Sequence, residues 1–73
     1  MDINSENIQM LGWVPIYTGT GAEVYQYKQQ NISLHWRKTK NIFHLIKDKD
    51  NVFTGMIENI GKLTEIMKVF DIA

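Results

Sequence analysis

The amino-acid sequence predicts a single α+β domain. We expect an antiparallel β-meander of about five strands, with a short N-terminal helix and a C-terminal amphipathic helix packed on one sheet face. Three observations predict this fold. Residues 32–47 alternate apolar and polar side chains around a polar break, which is typical of a β-hairpin. Residues 60–71 instead carry apolar side chains at helical spacing. The 73 residues leave room for one domain, residues 1–73.

Composition excludes several classes of protein. The chain has no cysteine, which excludes a disulfide framework and a thiolate metal site. No apolar run approaches the roughly 18 residues that a membrane helix needs, and the N-terminal residues lack the basic region of a signal peptide. We therefore expect a cytoplasmic protein with no membrane partner. Eight basic and eight acidic residues cancel, but residues 28–49 hold six of the bases and one acid, Asp48.

The first element is a short helix. Asn4 or Ser5 is a suitable N-cap, and the helix is expected to run through Leu11. Gly12 then ends it in a left-handed conformation. Two turns are marginally stable alone, so Ile8 and Leu11 must dock on the sheet.

Residues 13–18 form the first predicted strand. Pro15 has no N–H for the ladder, which confines this strand to a sheet edge. A Gly-rich loop at 19–22 follows, and its length places Val14 and Ile16 inward, although a bulge would shift this register by one residue. The side chains expected to point outward are Trp13 and Tyr17.

The second strand covers residues 23–29 and leads through a turn at 30–31 into the central hairpin. Partner numbers are expected to sum to 61, which places Tyr25 beside Trp36 and puts Tyr27 on the same core face.

The central hairpin turns at Thr39 and Lys40, so opposite residue numbers sum to 79. The core face of this hairpin pairs Trp36 with Phe43 and Leu34 with Leu45. The opposite face, which we call the outer face, is expected to pair His35 with His44, Arg37 with Ile42, and Ser33 with Ile46.

The fifth strand is predicted at residues 52–57, with Phe53 and Ile57 inward and Gly55 marking a bulge or a close contact. Asn59 then caps the closing helix. The apolar stripe of this helix is expected to cover the core face and consists of Ile60, Leu63, Ile66, Met67 and Phe70.

The expected outer face carries more apolar side chains than a sheet face that contacts only solvent, and more polar side chains than a core. We therefore predict a non-enzymatic binding protein whose partner is a protein. The candidate partner-binding residues are Trp13, Tyr17, Lys28, His35, Arg37, Lys38, Lys40, Ile42, His44 and Ile46. A homodimer through this face is a further possibility.

Single-stranded RNA or DNA is the alternative partner, met directly or through a nucleoprotein. In that case Trp13 and Tyr17 would stack on bases while Lys28 and Arg37 contact phosphates. No nucleophile or acid–base pair has a catalytic arrangement, and no cofactor is expected. The paired histidines lack a third metal ligand, so we predict no metal site.

The segments Leu11-Gly12-Trp13 and Phe53-Thr54-Gly55-Met56-Ile57, with Leu63, Ile66 and Met67 in the closing helix, give the chain a layout that resembles small uncharacterised proteins of phages and other mobile elements in AT-rich bacteria. The resemblance covers the two ends of the chain and transfers no site residue. It implies a context in which such domains bind host proteins, including inhibitors of host defence nucleases such as anti-CRISPR proteins.

Overall fold

The computed structural model describes residues 3–28 and 31–72. Its elements are α1 (Ser5–Met10), β1 (Trp13–Thr18), β2 (Ala22–Tyr27), β3 (Ile32–Arg37), β4 (Ile42–Lys47), β5 (Asp50–Gly55) and α2 (Ile60–Val69). The five strands form one antiparallel sheet in the order β1-β2-β3-β4-β5. The predicted α+β meander with two terminal helices is confirmed.

Both helices begin at an asparagine N-cap, as the sequence predicts. The Asn4 side chain accepts a hydrogen bond from the backbone N–H of Asn7, and Asn59 accepts one from Lys62, each at 2.9 Å. At the end of α1, Gly12 has a φ of +104°, and a Cβ there would lie 3.0 Å from the Tyr27 ring. Neither helix of the described chain has the length and apolar character of a membrane span.

One hydrophobic core lies between the sheet and the two helices. It joins Ile8 of α1 to Leu63, Ile66 and Met67 of α2 through the aromatic and aliphatic side chains of the sheet. The remaining buried apolar residues are Trp13, Tyr25, Tyr27, Ile32, Leu34, Trp36, Phe43, Leu45, Ile57 and Ile72. Because both helices contribute to the same cluster, both lie on one face of the sheet.

The closing helix buries most of its predicted stripe. Ile60 and Phe70 are partly buried at its two ends, whereas Ile72, beyond the helix, is almost completely buried. The Lys47 ammonium of β4 donates to the Phe70 carbonyl at 2.7 Å. This contact fastens the C-terminal end of α2 to the sheet, where a cation also complements the helix dipole.

The predicted β3–β4 register is confirmed at every pair. Trp36 stands opposite Phe43, with ring centroids 5.1 Å apart in a stacked arrangement. The β2–β3 register differs from prediction, because partner numbers sum to 59 and Tyr25 pairs with Leu34. A shift of two residues preserves the face of every side chain, so both tyrosines are in the core as expected. The predicted turn at 30–31 lies partly outside the described residues.

The predicted orientation of β1 is wrong at its start. Trp13 pairs with Tyr27 and is buried, whereas Val14 and Ile16 are 50% and 59% exposed. A bulge between Pro15 and Tyr17 inserts Ile16 as an extra residue. The bulge reverses the alternation, so Tyr17 is exposed as predicted although Trp13 is not.

The fifth strand begins and ends two residues earlier than predicted. Phe53 stands beside Leu45 and packs against the core, as expected, and Ile57 is fully buried just after the strand. A second register shift leaves Val52 without an opposite residue on β4. A Cβ at Gly55 would lie 3.3 Å from the Phe53 ring, which is the close contact predicted for this glycine.

Candidate functional site

The outer face of the sheet is the candidate site. Its residues, by register and alternation, are Val14, Tyr17, Ala22, Val24, Gln26, Ser33, His35, Arg37, Ile42, His44, Ile46, Asn51 and Thr54. Each is half-buried or exposed, and the two helices of the described chain pack on the opposite face. The outer face is thus an open surface, and no pocket is found among residues 3–28 and 31–72.

One row of side chains crosses the outer face from edge to edge. Tyr17 of β1 is paired with Val24, Val24 with His35, His35 with His44, and His44 with Thr54 of β5. Directly opposite residues on neighbouring strands have Cβ atoms about 5 Å apart. The row therefore presents a phenol, an aliphatic side chain, two imidazoles and a hydroxyl in succession.

The two rows beside it each contain an isoleucine of β4, and Ile46 is paired in turn with Asn51 of β5. Arg37 pairs with Ile42 on one side of the histidines, and Ser33 pairs with Ile46 on the other. Arg37 is exposed, and both isoleucines are half-buried. The histidine pair is consequently flanked by apolar side chains on β4 and by one guanidinium on β3.

The histidines differ in their surroundings. Burial lowers the pKa of His35, and the neighbouring His44 lowers it further, because a second positive charge beside the first is unfavourable. The Nδ1 atom of His44 lies 3.1 Å from the Thr54 hydroxyl. This hydrogen bond fixes the ring and leaves the Nε2 atom directed away from Thr54.

The strand residues of the outer face include three basic side chains and, among the residues described, no acidic one. The basic side chains are His35, Arg37 and His44, which we call the basic cluster. The described acids lie elsewhere, at Glu6, Glu23, Asp48, Asp50, Glu58, Glu65 and Asp71. The outer face is therefore basic although the chain as a whole has no net formal charge.

Six of the ten predicted partner-binding residues lie on the outer face. They are Tyr17, His35, Arg37, Ile42, His44 and Ile46. Trp13 does not, because it is 2% exposed and its ring meets Tyr27 edge-on at 5.1 Å. Its predicted outward orientation is wrong, and its buried Nε1 has no hydrogen-bond partner among the described residues.

Two of the three predicted lysines are directed away from the outer face. The Lys28 ammonium lies 5.2 Å from the centroid of Tyr27, a core ring, and the Lys38 ammonium lies 5.4 Å from that of Trp36. Both are therefore directed toward the core side of the sheet. Lys40 is exposed in the β3–β4 turn.

Sequence reasoning missed a polar network beneath the sheet. The buried Glu23 carboxylate accepts hydrogen bonds from the Tyr25 hydroxyl and, at 3.0 Å, from the Lys38 ammonium. Ser5 lies 2.9 Å from the same hydroxyl, and Gln9 donates to Ser5 at 3.1 Å. Burial and the hydrogen bond to Glu23 raise the pKa of Tyr25 to about 12.

This network links α1, β2 and the β3–β4 turn, and its polar groups satisfy one another. It is therefore a structural contact that closes one end of the core. The signal was available in the alternation of β2, because Glu23 has the same parity as Tyr25 and Tyr27. A carboxylate on a buried face requires a cationic or hydrogen-bonding partner.

The described residues bring together no group of three or more histidine, cysteine, aspartate or glutamate side chains that could hold a metal ion. Comparison of the chain with protein-family models, with curated proteins and with solved structures finds no match. The outer face and its charges are thus the observations from which a function can be argued.

Proposed function

We propose that this chain is a non-enzymatic binding protein that docks on another protein through the outer face. In line with the resemblance to mobile-element proteins, we further propose that docking inhibits or modulates a host protein, as phage-encoded anti-defence inhibitors such as anti-CRISPR proteins do. The single observation that supports docking is a whole sheet face that carries apolar side chains and is left uncovered by both helices.

The apolar content of this face is unusual for a solvated sheet. An antiparallel sheet with one covered face normally places polar side chains on the other. Here the face holds Val14 and Tyr17, which are 50% and 58% exposed, together with Val24, Ile42 and Ile46. Covering them with a partner would remove apolar area from water, which stabilises a complex by about 25 cal/mol per Å² before the costs of association.

The nucleic-acid alternative has less support. It assigned stacking to Trp13 and Tyr17 and phosphate contacts to Lys28 and Arg37. Trp13 is buried and Lys28 lies over a core ring, so Tyr17 and Arg37 are the two that lie on the outer face. They stand on strands separated by β2. Single-stranded nucleic acid is bound by successive aromatic rings along a basic groove.

Affinity capture from host lysate, with and without nuclease, tests the proposal. The double substitution Arg37→Glu, Ile42→Asp places two negative charges on the outer face and is expected to abolish capture of a protein. The matched control, Lys62→Glu, Val69→Asp, makes the same chemical changes at exposed positions of α2. It should capture normally. Circular dichroism of both variants should match the native spectrum.

Two results would overturn the assignment. Full capture by the outer-face double variant would show that the face is not the docking surface. Loss of capture on nuclease treatment would point to a nucleic-acid partner instead, and a steep fall of affinity with salt would accompany it. In the remaining case a second copy of the chain covers the face, and sedimentation of the purified protein would then show a dimer.

A further inference from the structure

If the outer face docks on a protein as proposed, the charges on this face determine the chemistry of the partner. The basic side chains of the face are His35, Arg37 and His44, and its strand residues include no acid within the described ranges. A partner that buries this face must therefore neutralise one guanidinium at every physiological pH, since Arg remains charged. A buried cation left without a partner is costly.

The basic cluster is compact. His35 and His44 are directly opposite, and Arg37 follows His35 by two residues on the same strand and the same face. Side chains two residues apart along a strand are about 7 Å apart at the backbone. One or two carboxylates of a partner can therefore contact all three side chains, and a carboxylate accepts two parallel hydrogen bonds from a guanidinium.

Apolar side chains surround the basic cluster on both neighbouring strands. Val24 of β2 is paired with His35, and Ile42 and Ile46 flank His44 on β4. All three are half-buried. A complementary surface carries acidic groups at its centre and apolar groups around them.

We propose that the outer face binds an acidic, apolar protein segment, whose Asp or Glu carboxylates contact the basic cluster while its aliphatic or aromatic side chains cover Val24, Ile42 and Ile46. The argument is charge complementarity: a basic partner would meet Arg37 with a like charge, and a second copy would bring two basic clusters together across a two-fold axis.

This partner predicts the sign of a pH dependence. In the free protein, burial and His44 lower the pKa of His35, which favours the neutral form of its ring. A partner's carboxylate beside the His35 ring would favour its charged form and raise its pKa in the complex. The complex therefore binds more protons than the free protein, and affinity must rise as pH falls from 8 to 6.

Side chains of each adjoining strand surround the two histidines. Val24 of β2 and Thr54 of β5 lie beside them, Arg37 and Ser33 lie along β3, and Ile42 and Ile46 lie along β4. The charged groups among these are the basic cluster itself. A self-complex or a basic partner would consequently lose affinity on acidification, which is the opposite sign.

Selection from a random-peptide display library tests the inference, with the native protein as bait and the Arg37→Glu, Ile42→Asp variant for counter-selection. The peptides enriched should combine Asp or Glu with aliphatic or aromatic residues. The affinity of the strongest peptide, measured by fluorescence anisotropy, should rise by up to roughly tenfold from pH 8 to pH 6 if binding raises the pKa of His35 by about one unit.

Two variants make the test specific. His35→Gln, His44→Gln should abolish the pH dependence yet retain the binding that Arg37 supports at pH 8. Arg37→Gln should weaken binding at both pH values, whereas the control Lys62→Gln, an exposed lysine of α2, should not. Circular dichroism establishes that each variant is folded.

Enrichment of neutral or basic peptides, no enrichment over the counter-selection, or affinity that is constant or falls on acidification would overturn the acidic-partner inference. Docking on a protein would still stand if the outer-face double variant loses capture from lysate while the α2 control retains it. Failure of that capture experiment would instead remove the proposed function itself, so the two failures are distinguishable.

Discussion

Replacing Lys38 by methionine would remove the ammonium from the buried Glu23 carboxylate and preserve most of the aliphatic stem that lies over Trp36. Glu23 is 6% exposed, and the ammonium contacts it at 3.0 Å. The Tyr25 hydroxyl would then be the remaining donor to this carboxylate among the contacts described above. A carboxylate that is buried and only partly hydrogen-bonded destabilises the folded state.

The magnitude follows from the exposure of the two groups. A hydrogen bond to a charged group contributes about 1.5–3 kcal/mol to stability. The Lys38 side chain is 36% exposed, so water screens the pair and can replace part of the ammonium. We therefore expect Lys38→Met to lower the free energy of unfolding by about 1–2 kcal/mol. A domain of this length has a total stability of about 4–11 kcal/mol, so the loss is measurable.

Urea unfolding followed by tryptophan fluorescence provides the assay, because Trp13 and Trp36 are both buried. Glu23→Gln should cost a similar amount, and the double variant should cost less than the two single losses combined by about 1–2 kcal/mol. The control Lys40→Met, at an exposed position of the same turn, should change stability by less than about 0.5 kcal/mol. A coupling energy below about 0.5 kcal/mol would refute the reasoning, since the pair would then contribute nothing of its own.

Three further predictions concern Tyr25, β1 and the β4–β5 turn. Because the pKa of Tyr25 is raised from 10.0 to about 12, about 3 kcal/mol of stability that is present below pH 10 should be lost between pH 10 and 12. In urea titrations the loss over this range should be larger by about this amount in the native protein than in Tyr25→Phe, and the exposed control Tyr17→Phe should behave as the native protein does. Trp13→Ala should cost about 3–5 kcal/mol and Val14→Ser less than about 0.5, whereas the reverse order in thermal unfolding would restore the register first predicted for β1. Asp48 and Lys49 have φ of 53° and 72°, so Lys49→Gly should raise stability by about 0.5–1 kcal/mol, and a lower melting temperature would contradict the turn geometry.

The central hairpin was predictable because its residues alternate clearly and its turn is short. In β3, each apolar residue at 32, 34 and 36 is followed by a polar one, so a register slip by one residue would bury His35 and expose Trp36. The β2–β3 register was harder to predict. Its partner numbers can shift by two without moving any side chain to the other face, and the alternation cannot detect such a shift.

The start of β1 could not be oriented from sequence for a different reason. Residues 13–17 are all apolar or aromatic, so neither face is marked as polar. The bulge at Ile16 then lets Trp13 and Tyr17, four residues apart, point to opposite faces. The prediction was wrong for Trp13. This ring, one of the two that the nucleic-acid hypothesis assigned to base stacking, is buried in the core.

The outer-face residues of β3 and β4 were predicted correctly. The lysines at the strand ends were not, because Lys28 and Lys38 are directed to the core side of the sheet. A long side chain at a strand end can turn to either face, and its choice depends on what lies beneath. Lys38 turns to the core side because Glu23 is buried there. Sequence patterns assign a face to the backbone position, and they do not determine the path of such a flexible stem.

The strand order of the sheet also bears on how quickly the protein folds. Each strand is paired with its neighbour in the chain, so every pair of strands can form as a hairpin without first closing a long loop. Single hairpins form in about 1–10 μs, and proteins rich in such local contacts fold faster than sandwiches or barrels. The slowest step should then be the docking of α1 and α2, which arrive from opposite ends of the chain onto one face. Stopped-flow refolding of this chain should accordingly be faster than that of a β-sandwich of equal stability.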